Sequence, residues 1–231
     1  MTKRPTVPFT LLTGLKDTQN RLGYYDPTIH EMAVKALAAK AAWQTRFLKE
    51  SGLPAIVFID EPALAGLGSS SFISISLDEI AQDLGEVITA IQQAGGYAGI
   101  HVCANTDWEF LLSLDLDVLS FDAHGYFDRL ATSKDKVYQF LERGGIIAWG
   151  GIPTSEAEQI LAETADSLTS MWESHADMLA NDKWNRTNLL SQTLITPSCG
   201  TGSLTFDVAK RVLELTRDVS AVLRQKYPQD Q

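Results

Sequence analysis

His101 and Cys103 are two side chains whose types and spacing would allow them to do chemistry together. They end the run Ala98-Gly99-Ile100-His101-Val102-Cys103, whose small and apolar start is typical of a buried strand. Side chains two positions apart in a strand leave the same face, so the imidazole and the thiol would lie within reach of one metal ion. The polar residues 105–108 predict a loop, which places the pair at the C-terminal end of a strand, where α/β proteins keep their functional residues.

Two further potential ligands follow other predicted strands. Cys199, the only other cysteine, comes among turn residues after the apolar run 194–196, and Asp122 directly follows the apolar run 118–121. The sequence therefore predicts a zinc site made of the histidine, the two cysteines and a carboxylate. Because there is no Cys-x-x-Cys pair and the ligands are scattered along the chain, such an ion would be catalytic rather than structural.

Ordinary packing is the competing interpretation of these residues. Cysteine is among the residue types most often buried, and a single His-x-Cys is a weak motif. Asp60 and Glu61, which end another apolar run, could equally be a structural pair that caps loop amides. Trp108 and Trp149 are interpreted as packing residues, and His124 as a loop residue rather than a base. Two histidines fall on predicted helices and receive no role: His30 and His175.

Length and composition set limits on the kind of protein. The chain has 231 residues, of which 45% are hydrophobic and 21% charged, which predicts a single globular domain, residues 1–231. No apolar run approaches the roughly 20 residues that span a bilayer, and residues 1–5 show no signal peptide. Two cysteines do not make a disulfide framework, so we expect a cytoplasmic protein. The net charge of -10 argues against nonspecific nucleic-acid binding.

Six apolar runs are predicted as strands: residues 8–12, 54–59, 98–103, 118–121, 146–149 and 194–196. Five helices are predicted between and after them: residues 29–50, 77–94, 134–143, 155–179 and 206–224. Asp26 and Ser76 are the expected N-caps of the first two helices, with Glu79 completing a capping box. A glycine- and serine-rich loop is predicted at residues 66–71, and a frayed tail at 227–231.

This alternation predicts an α/β fold with a parallel sheet covered by helices, either a TIM barrel or a doubly wound sheet. Candidate functional residues follow nearly every predicted strand, which favours the mouth of a barrel. No Gly-x-Gly-x-x-Gly follows the first predicted strand and there is no P-loop, so nothing supports nucleotide binding.

Five segments in a fixed order carry a resemblance to a known superfamily: Phe58–Leu64, His101–Cys103, Val118–Asp122, Ala148–Thr154 and Thr196–Gly200. Together they resemble the C-terminal barrel of cobalamin-independent methionine synthase. They also look like the zinc methyltransferases that take methyl groups from corrinoid proteins and, more distantly, like uroporphyrinogen decarboxylase. The resemblance covers nearly the whole chain, and it implies a TIM-barrel-like fold and methyl transfer to a thiol, with homocysteine as the expected acceptor and methionine as the product.

The resemblance also implies roles for individual residues. His101, Cys103 and Cys199 match the zinc ligands of the family. Asp122 stands where the family has a glutamate ligand, one methylene longer, so a loop shift or Glu61 could provide the fourth ligand instead. Zinc deprotonates a coordinated thiol, whose thiolate is the nucleophile, and a site with one exchangeable position could therefore present a substrate thiol to a methyl donor.

The substrate side of the implied site contains three residues. Asp60 matches the aspartate that holds the amino group of homocysteine, and Glu61 and Ser198 are assigned to substrate binding beside it. Asp60 and Asp122 are the residues to which the resemblance gives a catalytic part. A weak third interpretation, decarboxylation, would leave the histidine and the cysteines unexplained.

The chain departs from the family in the number of its strands. The family barrel has eight strands, whereas about six are predicted here, the first at Pro8 to Leu12, so the first two strand-helix units are expected to be absent. We also expect the folate-binding domain of the family to be absent, which favours a methylated corrinoid protein over folate as methyl donor. The alternative is a non-catalytic or auxiliary protein of the same fold that binds a corrinoid or a partner.

An incomplete barrel would expose two sheet edges. The sequence places them at Pro8 to Leu12 and Leu194 to Thr196, which are both apolar. We therefore expect a second copy of the chain, or a partner subunit, to cover these edges.

Overall fold

A computed structural model of the protein describes residues 8–66 and 76–228, with side chains from residue 11 onward. Most of the predicted glycine- and serine-rich loop, residues 67–71, and the last three residues of the predicted tail lie outside the described residues. Contacts divide the chain into two compact units, residues 1–119 and 120–231. None of the described helices is both long enough and apolar enough to cross a membrane.

The fold is α/β, as predicted. Its five described strands are all parallel and form one sheet in their order along the chain. They are β1 (Ile56–Asp60), β2 (Tyr97–Val102), β3 (Val118–Phe121), β4 (Ile146–Ile152) and β5 (Thr193–Pro197).

The first unit contains four of the helices: α1 (Pro8–Gly14), α2 (Pro27–Lys49), α3 (Leu77–Gln93) and α4 (Trp108–Ser113). Asp26 caps α2 as predicted, since its carboxylate accepts from the amides of Thr28 and Ile29. Ser76 caps α3 by accepting from the amide of Asp78. Two 3-10 turns complete the unit, at Gly23–Tyr25 and Pro62–Gly66.

The β1 and β2 strands pair in parallel, with Ile56 opposite Tyr97 and Asp60 opposite His101. Alternate residues of β1 are buried, among them Ile59, which is fully inaccessible. Helices α2 and α3 pack against each other, and each also packs against one of these strands. This packing holds the C-terminal ends of β1 and β2 side by side.

The prediction of a strand at Pro8 to Leu12 is wrong, because these residues form α1. A short apolar run does not by itself distinguish a strand from a buried helical segment. Proline is tolerated in the first turn of a helix, where its missing amide hydrogen is not needed, and the described part of α1 begins at Pro8. Leu12 is fully buried whereas Leu11 is 36% exposed, a one-sided burial that suits one turn of helix. The described residues therefore contain five strands rather than six, and the predicted first sheet edge does not exist.

The second unit contains the remaining helices: α5 (Ala123–Ala131), α6 (Lys134–Glu142), α7 (Ala157–Ala162), α8 (Ala165–Leu179), α9 (Arg186–Ser191) and α10 (Phe206–Lys226). Its core is aromatic. Trp149 on β4 is 1% exposed and packs against the rings of Phe127, Trp172 and His175. Trp108 in the first unit is also buried, so the interpretation of both tryptophans as packing residues is confirmed.

Three predictions in the second unit need correction. His124 lies on α5 rather than in a loop. The predicted helix 155–179 is divided into α7 and α8, because Thr164 starts a new helix through a capping box with Ser167. Tyr227 is held in place, since its hydroxyl donates to Glu173 at 2.6 Å and accepts from Arg186 at 2.7 Å, so the tail does not fray there.

Candidate metal centre

His101 and Cys103 lie where the sequence predicted them, at the C-terminal end of β2. His101 is the fifth residue of the strand, and Cys103 follows its last residue. The loop after Cys103 is anchored at both ends. Thr106 donates to the carbonyl of Leu64 at 3.1 Å, and Asp107 caps α4 by accepting from the amide of Phe110. The bond to Leu64 ties this loop to the 3-10 turn that follows β1.

Cys199 follows β5, and the residue before it is fixed by two hydrogen bonds. The amide of Ser198 donates to the carbonyl of Ile152 at 2.8 Å. Its hydroxyl lies 3.0 Å from the hydroxyl of Thr154, and both side chains are buried. The predicted substrate residue Ser198 therefore pairs with a neighbouring loop, and this pairing sets the position of Cys199.

Gly150 allows this loop to approach the neighbouring strands. A Cβ atom at Gly150 would lie 2.2 Å from the carbonyl oxygen of Phe121 and 2.9 Å from the Cα atom of Ser198. Both distances are below any that a real Cβ atom tolerates. Glycine at this position is thus a condition for the observed path of Ser198 and Cys199.

The structure brings His101, Cys103 and Cys199 together. Each offers one ligand atom, an imidazole nitrogen or a sulfur, and these atoms all lie within 4.8 Å of one another. The two cysteines are exposed, so an ion could reach them from solvent. Imidazole and thiolate are ligands that favour transition metals over calcium or magnesium. The three residues could therefore hold a metal ion.

Asp122 is not a member of this group of described residues. It is the N-cap of α5, and its Oδ1 atom accepts from the amide of Gly125 at 2.9 Å. A Cβ atom at Gly125 would lie 2.9 Å from the second carboxylate oxygen, so a larger residue at position 125 would have to displace this carboxylate. The capping role accounts for the position of the carboxylate at the end of β3 without a metal.

Asp60 and Glu61 lie at the C-terminal end of β1, next to His101 on β2. Asp60 is the last residue of β1 and is the register partner of His101, and partners in register leave the same face of a sheet. Glu61 is fully buried, and its amide donates to the carbonyl of His101 at 3.3 Å. The sequence prediction that two carboxylates end this strand is confirmed, with one half-exposed and the other inaccessible to solvent.

Each of the other three histidines lies next to another group of the protein. His30 on α2 contacts the carbonyl of Tyr24 at 3.0 Å and the carboxylate of Asp83 at 2.7 Å. His124 is 3.6 Å from the carboxylate of Glu163. Burial lowers the pKa of His175 to about 4, and its Nδ1 atom accepts from the indole of Trp149 at 3.3 Å, so this ring is neutral at pH 7.

Sequence reasoning missed the residues that position the ligands rather than supply them. Thr106, Gly150 and Thr154 make the contacts described above, and none was assigned a part in the site. Only Gly150 carried a signal, since two glycines at the end of a strand indicate close approach of another segment.

No family model matches this sequence. No curated protein matches it either.

Proposed function

We propose that the protein is a zinc-dependent methyltransferase that transfers a methyl group to a thiol, with homocysteine as acceptor and a methylated corrinoid as donor. The single observation that supports it most is the grouping of His101, Cys103 and Cys199 within 4.8 Å. Cys199 is far from the other two residues in the sequence, and the interpretation of the cysteines as ordinary packing residues does not explain why it meets them.

The geometry suits zinc. Zinc bonds are about 2.3 Å to sulfur and 2.0–2.1 Å to nitrogen, so two ligand atoms on a tetrahedral ion are about 3.5–3.8 Å apart. Ligand atoms within 4.8 Å of one another need to close in by about 1 Å at most, which side-chain rotation can provide. Catalytic zinc sites have three protein ligands and one open position, and this group has three members.

The order of the strands supports a barrel-like arrangement. A doubly wound sheet reverses its strand order at a switch point, whereas the five parallel strands here follow one another in chain order. A sheet wound in one direction is the arrangement of a β/α barrel. We therefore propose a TIM-barrel-like arrangement for the five described strands, with the candidate metal ligands at their C-terminal ends.

Residues of the first unit are proposed to hold the acceptor. Asp60 shares a sheet face with His101 and is half-exposed, so its carboxylate could bind the ammonium group of an amino-acid thiol. Glu61 is fully buried and is proposed to shape the wall of the site. Ser198 is proposed to act indirectly, through the position of Cys199, because its hydroxyl is already paired with Thr154.

The proposed reaction needs neither a protein nucleophile nor a redox step. Zinc, when bound, would keep the acceptor sulfur as a thiolate at neutral pH. A carbon–sulfur bond forms at the acceptor while the cobalt–carbon bond of the methyl corrinoid breaks. The electron pair of the broken bond stays on cobalt, and the thiol proton leaves to solvent.

Elemental analysis of the purified protein tests the metal centre. We expect about one zinc per chain, and strong loss of zinc in Cys103→Ser and in Cys199→Ser. Ser203→Ala, which changes an exposed hydroxyl four residues after Cys199, is the matched control and should keep the metal. Retention of zinc by both cysteine variants would rule out the proposed ligand set.

Methyl transfer is then measured directly. The zinc-loaded protein is incubated with homocysteine and either methylcobalamin or methyl folate, and methionine is followed. We expect turnover with methylcobalamin and loss of turnover in Cys199→Ser. Turnover with methyl folate alone would overturn the donor assignment. A zinc-loaded protein without turnover on either donor would overturn the enzyme assignment in favour of an auxiliary corrinoid- or partner-binding protein.

A further inference from the structure

Helix α2 carries a row of exposed apolar side chains along its whole length. The row recurs every three or four residues and consists of Ile29, Met32, Ala36, Ala39, Trp43 and Phe47. Of its four large members, Ile29 is 40% exposed, Met32 67%, Trp43 58% and Phe47 55%. We call this row the α2 stripe. Trp43 and Phe47 stack on each other with ring centroids 5.7 Å apart, so the stripe ends in a preformed aromatic surface.

The stripe is distinct from the face by which α2 joins its own unit. The buried residues of α2 are Val34, Leu37, Ala38, Ala41 and Thr45. At about 100° per residue around a helix, the stripe lies on the opposite side from them. A helix on the surface of a globular protein normally has one apolar face and one polar face. Helix α3 has that ordinary pattern, since its outward positions include Asp78, Gln82 and Glu86.

We infer that the α2 stripe is the interface of a homodimer in which two copies of α2 pack antiparallel about a two-fold axis. The stripe is self-complementary in size. Two alanines, Ala36 and Ala39, lie at its centre and would allow close approach of the two helices. Met32 and Trp43 lie at equal distances on either side of that centre, so each would meet the other across the axis. A surface that binds a different protein has no reason to be symmetric about its own centre, so this symmetry favours a second copy of the chain.

Charges beside the stripe fit the same arrangement. Glu31 and Arg46 lie on one flank of α2, both exposed, and at nearly equal distances from its centre. In an antiparallel pair, Glu31 of each copy would therefore face Arg46 of the other, which gives two ion pairs. Lys35, on the same flank, already pairs with Glu86 at 2.9 Å and would face the neutral Ala42.

The available area is sufficient for a specific dimer. Aromatic side chains bury about 150–250 Å² each. With about 200 Å² taken for each of the four large stripe residues, their exposed fractions amount to about 450 Å² per copy. Two copies, with the central alanines and the stems of the flanking charged residues, reach roughly 1,000 Å², the lower limit of specific interfaces. We therefore expect a dimer that dissociates in the micromolar range. This inference does not depend on the metal centre.

The mass in solution tests the inference. Sedimentation equilibrium of the full chain between about 5 and 200 μM should show twice the monomer mass of 25.3 kDa at the upper end. Trp43→Glu should weaken dimerisation at least 100-fold with an unchanged far-UV spectrum, because the side chain is exposed in the monomer. Leu213→Glu, at a position on α10 that is 60% exposed, is the matched control and should dimerise like the wild type.

Charge exchange tests the antiparallel arrangement itself. Glu31→Arg alone should weaken the dimer about tenfold by placing two arginines together, and the added change Arg46→Glu should restore it. A wild-type chain that stays monomeric at 200 μM would overturn the inference, as expected if another segment or another protein covers the stripe. A dimer insensitive to Trp43→Glu, or one that Arg46→Glu fails to restore, would overturn it as well.

Discussion

A single methyl group at Gly150 would test how the metal ligands are positioned. The new Cβ atom would lie 2.2 Å from the carbonyl oxygen of Phe121 and 2.9 Å from the Cα atom of Ser198. Carbon–oxygen contacts in proteins are about 3.3 Å or longer, so the segments must separate by about 1 Å. Both atoms belong to the backbone, and no side-chain rotation can relieve the contact.

The size of the effect on metal binding follows from that displacement. Zinc–ligand distances tolerate deviations of about 0.2 Å, and relieving the 2.9 Å contact with the Cα atom of Ser198 requires a shift of about 0.5 Å, since carbon atoms pack at about 3.5 Å or more. Because Ser198 precedes Cys199, the sulfur moves with it. We expect Gly150→Ala to lower the affinity for zinc about 10- to 100-fold, the usual effect of disturbing the support of a ligand. Overpacking should also lower the free energy of unfolding by about 1–3 kcal/mol.

Gly151→Ala is the matched control. Its Cβ atom would meet only the Cε atom of Met171, at 3.3 Å, and the indole carbon of Trp149 at 3.9 Å. The flexible end of a methionine can move, so zinc affinity should stay within about twofold of wild type. Affinity is measured by competition with a chromophoric chelator, and stability by urea unfolding of the metal-free protein. Equal zinc affinity in Gly150→Ala and the wild type would refute the positioning argument.

Three further predictions address other parts of the structure. Thr106→Val removes the hydrogen bond to Leu64. It should lower the free energy of unfolding by about 1 kcal/mol and the affinity for zinc several-fold. The control Thr216→Val loses a similar bond within α10 and should affect stability alone. Asp60→Asn should raise the KM for homocysteine and leave both zinc content and the KM for a thiol without an amino group unchanged. Burial lowers the pKa of His175 to about 4, whereas the unfolded chain takes up that proton near pH 6.5. The free energy of unfolding should therefore fall by about 1–2 kcal/mol from pH 6.5 to pH 4. His175→Gln should remove this contribution to the pH dependence of stability.

Each of these predictions has an outcome that contradicts it. Equal zinc affinity in Thr106→Val and Thr216→Val would show that the Leu64 bond does not position Cys103. An unchanged KM for homocysteine in Asp60→Asn would remove Asp60 from the acceptor site. A His175→Gln variant with the same loss of stability below pH 6.5 as the wild type would show that other groups cause it.

The fold was predictable where the local sequence had one clear signal. The mostly apolar run at residues 118–121 became β3 with the predicted bounds, and Asp26 and Pro27 placed the start of α2 correctly. The run at Pro8 to Leu12 was not predictable in this way. It has only five residues, within the usual length of a strand, and apolar residues in so short a run fit both structures. Its helical state depends on burying Leu12, which is a tertiary effect.

Three of the four predicted members of the metal group meet in the structure, whereas Asp122 caps α5 instead, and the residues that support the site were not predicted. His101 lies on β2 and Cys103 directly follows it, so their spacing alone indicates that they are neighbours. Cys199 joins them only because β2 and β5 end at the same edge of a parallel sheet, which required the fold to be predicted first. The contact between Thr154 and Ser198 could not be predicted, because hydroxyl pairs between loops leave no periodic pattern in the sequence.

Substitution of Asp122 tests whether its carboxylate provides a fourth ligand to the metal or only caps α5. Asparagine is as good an N-cap as aspartate, so Asp122→Asn keeps the bond to Gly125 but removes the charge that a ligand needs. We expect this variant to keep both its stability and its zinc affinity, whereas Asp122→Ala should lose about 1 kcal/mol of stability and still bind zinc. A tenfold loss of zinc affinity in Asp122→Asn would show instead that the carboxylate leaves the helix end to bind the ion. An open fourth position is what the proposed acceptor thiol requires, and the expected result would remove Asp122 from the candidates for that position, leaving the group His101, Cys103 and Cys199.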